Sequence, residues 1–481
     1  MKKSSWVKIH NVSGTVLGFF LLMLCLSGIV LNHRDLFGGV DVSRRCLPPW
    51  YRYEKWNGGL LRGTLPLPEG IDGICREPRV LIYGSGGVML ADPAGKVFND
   101  FNRGLPRCAD GRQIREAARD VSGQLYALSA TALYRFEASE GWRDTGLRGV
   151  GGDRFADLVC RGDTLVVAGR SHLYVSENPG SPFRRISLKA PDGYKPEISL
   201  FRVVWMLHSG EMFGMAGRLF VDAVGLAIIL LCLTGWCLWL GPARVKRLKF
   251  KLLNLRIHNR MGVVTLVFTA FVIITGWCLR PPLMIPLVMT KVSAGEGNPW
   301  HDRLRMIRYD ASCGDWLLSA SDGFYSLESL DDRPVKLTGA PPVSVMGLNV
   351  WEPNGAGKWI CGSFSGLYVW DRSVGSSKDF YTGQIATAKA GAPFGKHAVS
   401  GYSADFGGTP VVALYHEGTD ALVQPDRYER LPMSLWNVAL EVHSGRIYFG
   451  ASATYFFIFI IGAASLLLLL SGWKIRISRK S

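Results

Sequence analysis

The stretch IHNVSGTVLGFFLLMLCLSGIVL (Ile9–Leu31) returns 248 residues later as IHNRMGVVTLVFTAFVIITGWCL (Ile257–Leu279). His10 aligns with His258, Gly14 with Gly262, and Ser27-Gly28 with Thr275-Gly276. A second motif also repeats. WMLHSGEMFG (Trp205–Gly214) precedes one apolar run, and EVHSGRIYFG (Glu441–Gly450) opens another. Here His208 aligns with His443, and Thr234-Gly235-Trp236 with Ser471-Gly472-Trp473. The chain reads as two parallel copies of one unit: span, extramembrane segment, span. An axis along the membrane normal should relate them.

The 481 residues are 48% hydrophobic. Four uncharged runs stand out: Asn11–Asn32, Ala223–Ala243, Met261–Leu279 and Ile447–Trp473. Each is about the 20 residues that a bilayer-crossing helix needs. Lys2, Lys3 and Lys8 precede the first run. Arg244, Lys246, Arg247, Lys249, Lys251, Arg256 and Arg260 separate the second and third, and Lys474, Arg476, Arg479 and Lys480 follow the fourth. Short Lys/Arg-rich loops stay cytoplasmic, so both termini and the central link are expected inside. Setting those 14 residues aside leaves 41 basic against 39 acidic side chains, so the net charge of +16 is a topology signal. It suits anionic lipid contact and lends little support to nucleic-acid binding. The first run is read as a retained anchor rather than a cleaved signal peptide, because no A-x-A site follows it.

The expected order is cytoplasmic N-terminus and first span (1–32), extramembrane domain (33–205), second span (206–243), basic link (244–256), third span (257–280), second extramembrane domain (281–440), fourth span (441–473) and tail (474–481). The expected fold class is a four-helix transmembrane bundle with two β-rich, propeller-blade-like periplasmic domains, internally duplicated.

The blade reading comes from five strings with one pattern: VLIYGSGGVMLAD from Val80, LYALSATALYRFE from Leu125, LVVAGRSHLYVSE from Leu165, WLLSASDGFYSLE from Trp316 and WICGSFSGLYVWD from Trp359. Each alternates, turns at small residues and alternates again, as hairpins do. Copies within a segment recur about every 40 to 44 residues, a propeller-blade period. VVALYHEGTDALVQ from Val411 is a weaker sixth. That makes three blades per half, and the halves together make one split propeller or two separate domains.

Of ten cysteines, Cys25, Cys232, Cys237 and Cys278 lie in the apolar runs as small packing residues. Cys46, Cys75, Cys108, Cys160, Cys313 and Cys361 lie outside them, where an oxidising compartment permits disulfides. Cys313–Cys361 is the one pairing open within the second segment.

The histidines carry the chemistry. Duplication places His10 opposite His258 near the cytoplasmic face, and His208 opposite His443 at the outer starts of spans two and four. Imidazole is a common axial ligand of haem iron, and two facing helices suit a flat ring ligated from both sides. Gly14, Gly18, Gly28, Gly225, Gly262, Gly276 and Gly462 either open room for a porphyrin or pack helices closely. His33 aligns with no second histidine and is either a further ligand or a headgroup contact. Asp222, four residues after Arg218, reads as half of a helix-face ion pair. His172, His301, His397 and His416 are scattered. Zinc would want a compact set such as HExxH, and the chain has none.

The strings IHNVSG…LSG, LHSGEMFG…LTGW and EVHSGRIYFG…LSGW, with LPMSLWNVALEVHSGR (Leu431–Arg446), resemble the PepSY-associated transmembrane proteins. That resemblance implies a bacterial inner-membrane protein linked to iron uptake and to an outer-membrane uptake system. It also implies b-type haem, one or two groups, on His10, His208, His258 and His443. The activity implied is reduction of a periplasmic ferric complex such as a ferric siderophore. The extramembrane segments depart from the family, since they read as blades rather than PepSY domains. The cytoplasmic portions are short and carry no GxGxxG after a strand, so the electron donor is expected to be a quinol or a separate protein. The competing expectation is a non-catalytic, membrane-anchored binding or signal-relay protein.

Overall fold

The computed structural model describes residues 3–69, 77–178, 180–240, 248–295, 297–344, 346–387 and 397–477. Lys2, Cys75, Arg244, Lys246, Arg247, Arg479 and Lys480 lie outside the described residues. The chain divides into two compact units. Met1–Val42, Pro196–Gly295 and Met433–Ser481 form one; Ser43–Lys195 and Glu296–Pro432 form the other. Both extramembrane segments therefore contribute to the second unit.

The first unit is helical. Its main helices are α1 (Lys3–Asn32), α2 (Leu200–Ser209), α3 (Gly214–Leu240), α4 (Leu248–Val264), α5 (Leu266–Cys278), α6 (Leu435–His443) and α7 (Arg446–Ile477), the last interrupted at Gly450. α1 packs against α3 and α7, α3 against α4, and α5 against α7. Three stretches are long and apolar enough to cross a membrane: Ser4–Asn32, Glu211–Trp239 and Ala453–Ile477. Their outward side chains are apolar too, with Val16 60% and Phe456 73% exposed, as lipid contact requires.

The third apolar run departs from expectation. It is not one continuous helix: α4 and α5 meet at 63°. Thr265 stands between them at φ −96°, ψ −1°, and its hydroxyl donates to the Met261 carbonyl at 2.8 Å. Such back-bonding bends helices. The 13 residues of α5 rise only about 20 Å at ~1.5 Å per residue, short of a ~30 Å core. The chain thus has three candidate spans, or four if the bent pair acts as one.

The HSG motifs also sit differently from expectation. His208 and His443 close the short helices α2 and α6 rather than opening the spans. Ser199 and Ser434 cap these helices by accepting from the Arg202 and Asn437 amides. Gly210 (φ 78°) and Gly445 (φ 80°) then reverse the chain, a left-handed geometry that favours glycine. α2 packs on α5, and α6 packs on α1.

The second unit is built from antiparallel sheets. Five have four strands in sequence order: Gly63–Leu67 to Phe98–Asp100, Ile114–Arg119 to Gly141–Asp144, Phe155–Arg161 to Arg184–Ile186, Leu304–Asp310 to Val335–Lys336, and Leu348–Pro353 to Ser376–Asp379. Val399–Ser403 and Val411–Leu414 make a two-stranded sixth. The five hairpin strings fall on the two middle strands of their sheets, as in Arg79–Gly84 with Gly87–Ala91. Those strands are buried on both faces because apolar clusters separate successive sheets. A further cluster joins Val80 and Ile82 of the first sheet to Val411 and Ala413 of the last.

One buried cation ties four sheets. Arg308 donates to Glu116 at 2.8 Å, to Asp157 at 2.5 Å and to the Trp351 carbonyl at 2.8 Å. Burial pushes the Asp157 carboxyl up to about 7 against the opposing pull of Arg308, and does the same to Glu352. Tyr83 donates to Glu116 from the first sheet.

Candidate functional site

The helical unit brings the four aligned histidines together in the expected pairs. The His10 and His258 rings, on α1 and α4, have centroids 6.1 Å apart and planes at 79°. The His208 and His443 rings, on α2 and α6, are 6.2 Å apart at 49°. Two imidazole nitrogens bound to opposite sides of one metal ion, at ~2 Å each, put the ring centres about 6 Å apart. Both pairs have that spacing.

Each ring is seated in the same way. His10 Nδ1 lies 3.0 Å from Ser471 Oγ and 3.3 Å from the Leu468 carbonyl. His258 Nδ1 lies 3.0 Å from Thr234 Oγ1, and His208 Nδ1 lies 3.1 Å from Thr275 Oγ1. His443 Nδ1 lies 3.1 Å from Ser27 Oγ and 3.0 Å from the Leu24 carbonyl. These hydroxyls already use their single proton within their own helices. Ser27 donates to Met23, Thr234 to Leu230, Thr275 to Phe271 and Ser471 to Leu468, at 2.7, 2.7, 2.8 and 2.7 Å. With that proton committed each accepts from the imidazole, and a backbone carbonyl, which can only accept, also stands beside each ring: Leu468 for His10, Val272 for His208, Leu231 for His258 and Leu24 for His443. Nδ1 carries the proton of each neutral ring, and Nε2 keeps its lone pair for a ligand.

The glycine after each hydroxyl makes room for the ring. A Cβ on Gly276 would lie 2.7 Å from His208 Cε1, one on Gly472 3.1 Å from His10, one on Gly28 3.3 Å from His443, and one on Gly235 3.5 Å from His258. The sequence reading marked these dipeptides as repeat signposts but did not connect them to the histidines. Gly235 and Gly472 stood outside the set of glycines read as porphyrin room or helix packing. Of the other glycines, Gly18 and Gly462 seat the Trp236 and Trp277 indoles, and Gly14, Gly225 and Gly262 make ordinary contacts.

A cavity of about 630 Å³ opens beside the first pair, within the ~300–1,000 Å³ typical of ligand sites. Its walls include Gly14, Gly18 and Gly262, with Leu21, Ile228 and Ile273 deeper in.

His33 stands apart from both pairs. Its Nε2 lies 2.6 Å from Asp222 Oδ2, and Asn32 donates to the other carboxylate oxygen at 2.9 Å. Asp222 thus takes His33 where Arg218 was expected. Cys313 is exposed and Cys361 buried, and neither is bonded; among the described residues no disulfide forms. Asp310, Cys313 and Asp315 cluster closely, but Arg372 binds both carboxylates.

Residues 1–242 match the family model of the PepSY-associated TM region, half of the chain, and the protein belongs to that family. No curated protein matches it. Two similar solved structures from B. thetaiotaomicron are described provisionally as extracellular domains of a one component system and a hybrid two component system. Both are 12% identical, with TM-scores of 0.18 and 0.20. Each alignment covers 76% of this chain, but only 54% and 48% of those structures, so the chain spans about half their length.

Proposed function

We propose that this protein is a b-type haem electron carrier of the bacterial inner membrane that reduces a periplasmic ferric complex, such as a ferric siderophore. One observation carries the reading. Four imidazoles stand in two pairs about 6 Å apart, each held at Nδ1 by a hydroxyl that accepts. That arrangement leaves two bare Nε2 atoms per pair. Two ligands fall short of a four-coordinate structural zinc, whereas a porphyrin brings the remaining donors itself. When bound, iron porphyrin supplies a one-electron couple whose potential follows its axial ligands and burial. The protein's own groups fix the ring tautomer, hold the imidazoles in pairs about 6 Å apart and line the first site with apolar walls.

The finer topology belongs to the same proposal. α4 and α5 act together as one bent span, giving four passes with both termini cytoplasmic. Lys249, Lys251, Arg256 and Arg260 on α4, with Lys474 and Arg476 on α7, support that orientation. His10 and His258 would then hold the group that takes electrons from a quinol or a separate protein, and His208 and His443 the group that would pass them on outside. On α1 the two levels are marked by His10 and Ser27, 17 residues or about 26 Å apart at ~1.5 Å per residue. The apolar cluster linking the last sheet to the first supports reading the six sheets as blades of one split propeller.

The test is absorbance of protein purified from haem-replete cells, with and without dithionite. Sharp reduced bands that shrink in His208→Ala and in His258→Ala are expected. A colourless, folded preparation would favour the anchor or relay reading instead.

A further inference from the structure

The cavity beside His10 and His258 has two chemically different ends. Leu21, Ile228 and Ile273, none of them exposed, line it toward the middles of their helices, while the exposed Lys251 and Arg476 line it toward the basic helix ends, which makes that end its mouth. Its described lining contains no Asp or Glu. Lys251 precedes His258 on α4 by seven residues, two helical turns, and so shares its face. Arg476 follows Gly472, the seat of His10, by four residues on α7, one turn on the same face. Topology alone would put basic residues at this end of the helices. It would not select these two for the stripe that carries the imidazole site, while Lys249, Arg256 and Lys474 lie outside the lining.

We propose that Lys251 and Arg476 clamp the carboxylates of the cavity's occupant, so that an iron porphyrin enters with its carboxylate edge at the mouth and its apolar edge inward. This rests on the haem reading above. A carboxylate pushed to the Leu21–Ile273 end would lose its hydration with no partner in return. At the mouth, a guanidinium fork and an ammonium meet it with charge-assisted hydrogen bonds. The cations thereby set which edge of the ring faces the cytoplasmic donor.

The test uses the full-length protein in detergent with His208→Ala and His443→Ala, which leaves this cavity as the single bis-histidine site. It is titrated with protohaem and with protohaem dimethyl ester, following the low-spin absorbance band. The free acid is expected to bind about tenfold tighter or more. Lys251→Gln with Arg476→Gln should abolish that preference while keeping the low-spin spectrum. Equal affinity for acid and ester with both cations intact would overturn the clamp and leave the haem reading standing, as would a preference that survives the double substitution. If the double variant does not fold, the acid-to-ester ratio of its parent decides alone. No low-spin spectrum with either compound, in the parent or the unsubstituted protein, would overturn both.

Discussion

Replacing each of the four ring-seating glycines by alanine should produce a graded series. Ordinary contact begins near 3.4 Å, and the Cβ added at Gly276 would stand 2.7 Å from His208 Cε1. The ring cannot slide aside, because its Nδ1 and Nε2 are already 3.3 and 3.4 Å from the same point. His208 would have to retreat by about 0.7 Å, an overpacking cost at the upper end of the usual ~1–3 kcal/mol. That corresponds to roughly a hundredfold loss of affinity for a group held between His208 and His443. Gly472→Ala, at 3.1 Å, should be milder, Gly28→Ala milder still at 3.3 Å, and Gly235→Ala, at 3.5 Å, close to silent. The assay is the haem-to-protein ratio and the reduced-minus-oxidised spectrum of each variant, with melting temperatures to identify general unfolding. The reasoning fails if Gly235→Ala loses as much as Gly276→Ala, or if Gly276→Ala leaves both pairs fully loaded.

Removing an orienting hydroxyl should cost little where a backbone carbonyl stands behind it. Ser27→Ala leaves His443 the Leu24 carbonyl at 3.0 Å and Thr275→Val leaves His208 the Val272 carbonyl, so each should weaken its site by about 1 kcal/mol, read by titration of haem into apoprotein. Arg308→Met strands the buried carboxylates of Glu116 and Asp157 and should destabilise the sheet unit by roughly 3–5 kcal/mol, read as a lower urea midpoint of tryptophan fluorescence. Asp157 and Glu352 bind protons more readily folded than unfolded, so the stability they contribute is full below about pH 4 and is lost as pH rises through about 7. The urea midpoint should therefore fall between pH 5.5 and pH 8, and Glu352→Gln should flatten that slope.

Local patterns were readable in the sequence, and long-range partners were not. Hairpins such as Val80–Asp92 declared themselves by alternation about a small-residue turn, and all five fall on paired strands. The outer strands of each sheet, such as Phe98–Asp100, are short and half polar, so they left no comparable trace. The break at Thr265 was hidden because neither Pro nor Gly marks it; a threonine hydroxyl bonding back one turn does the work inside an unbroken apolar run. The histidine pairs followed from repeat alignment. Their seats did not, because Ser471 lies 461 residues from His10 and Ser27 lies 416 from His443. His33 and Asp222 are 189 residues apart, and nothing local in either motif announces the other.

Every contact of the four paired histidines crosses from one repeat to the other. His10 meets His258 and leans on Ser471; His208 meets His443 and leans on Thr275; Thr234 holds His258, and Ser27 holds His443. Either repeat alone owns two imidazoles and two hydroxyls, none of them matched. A single-repeat ancestor would have completed its rings only as a two-fold homodimer, with occupancy falling on dilution. Joining the copies in one gene removes that dependence and lets the two ends of the helices drift apart in sequence.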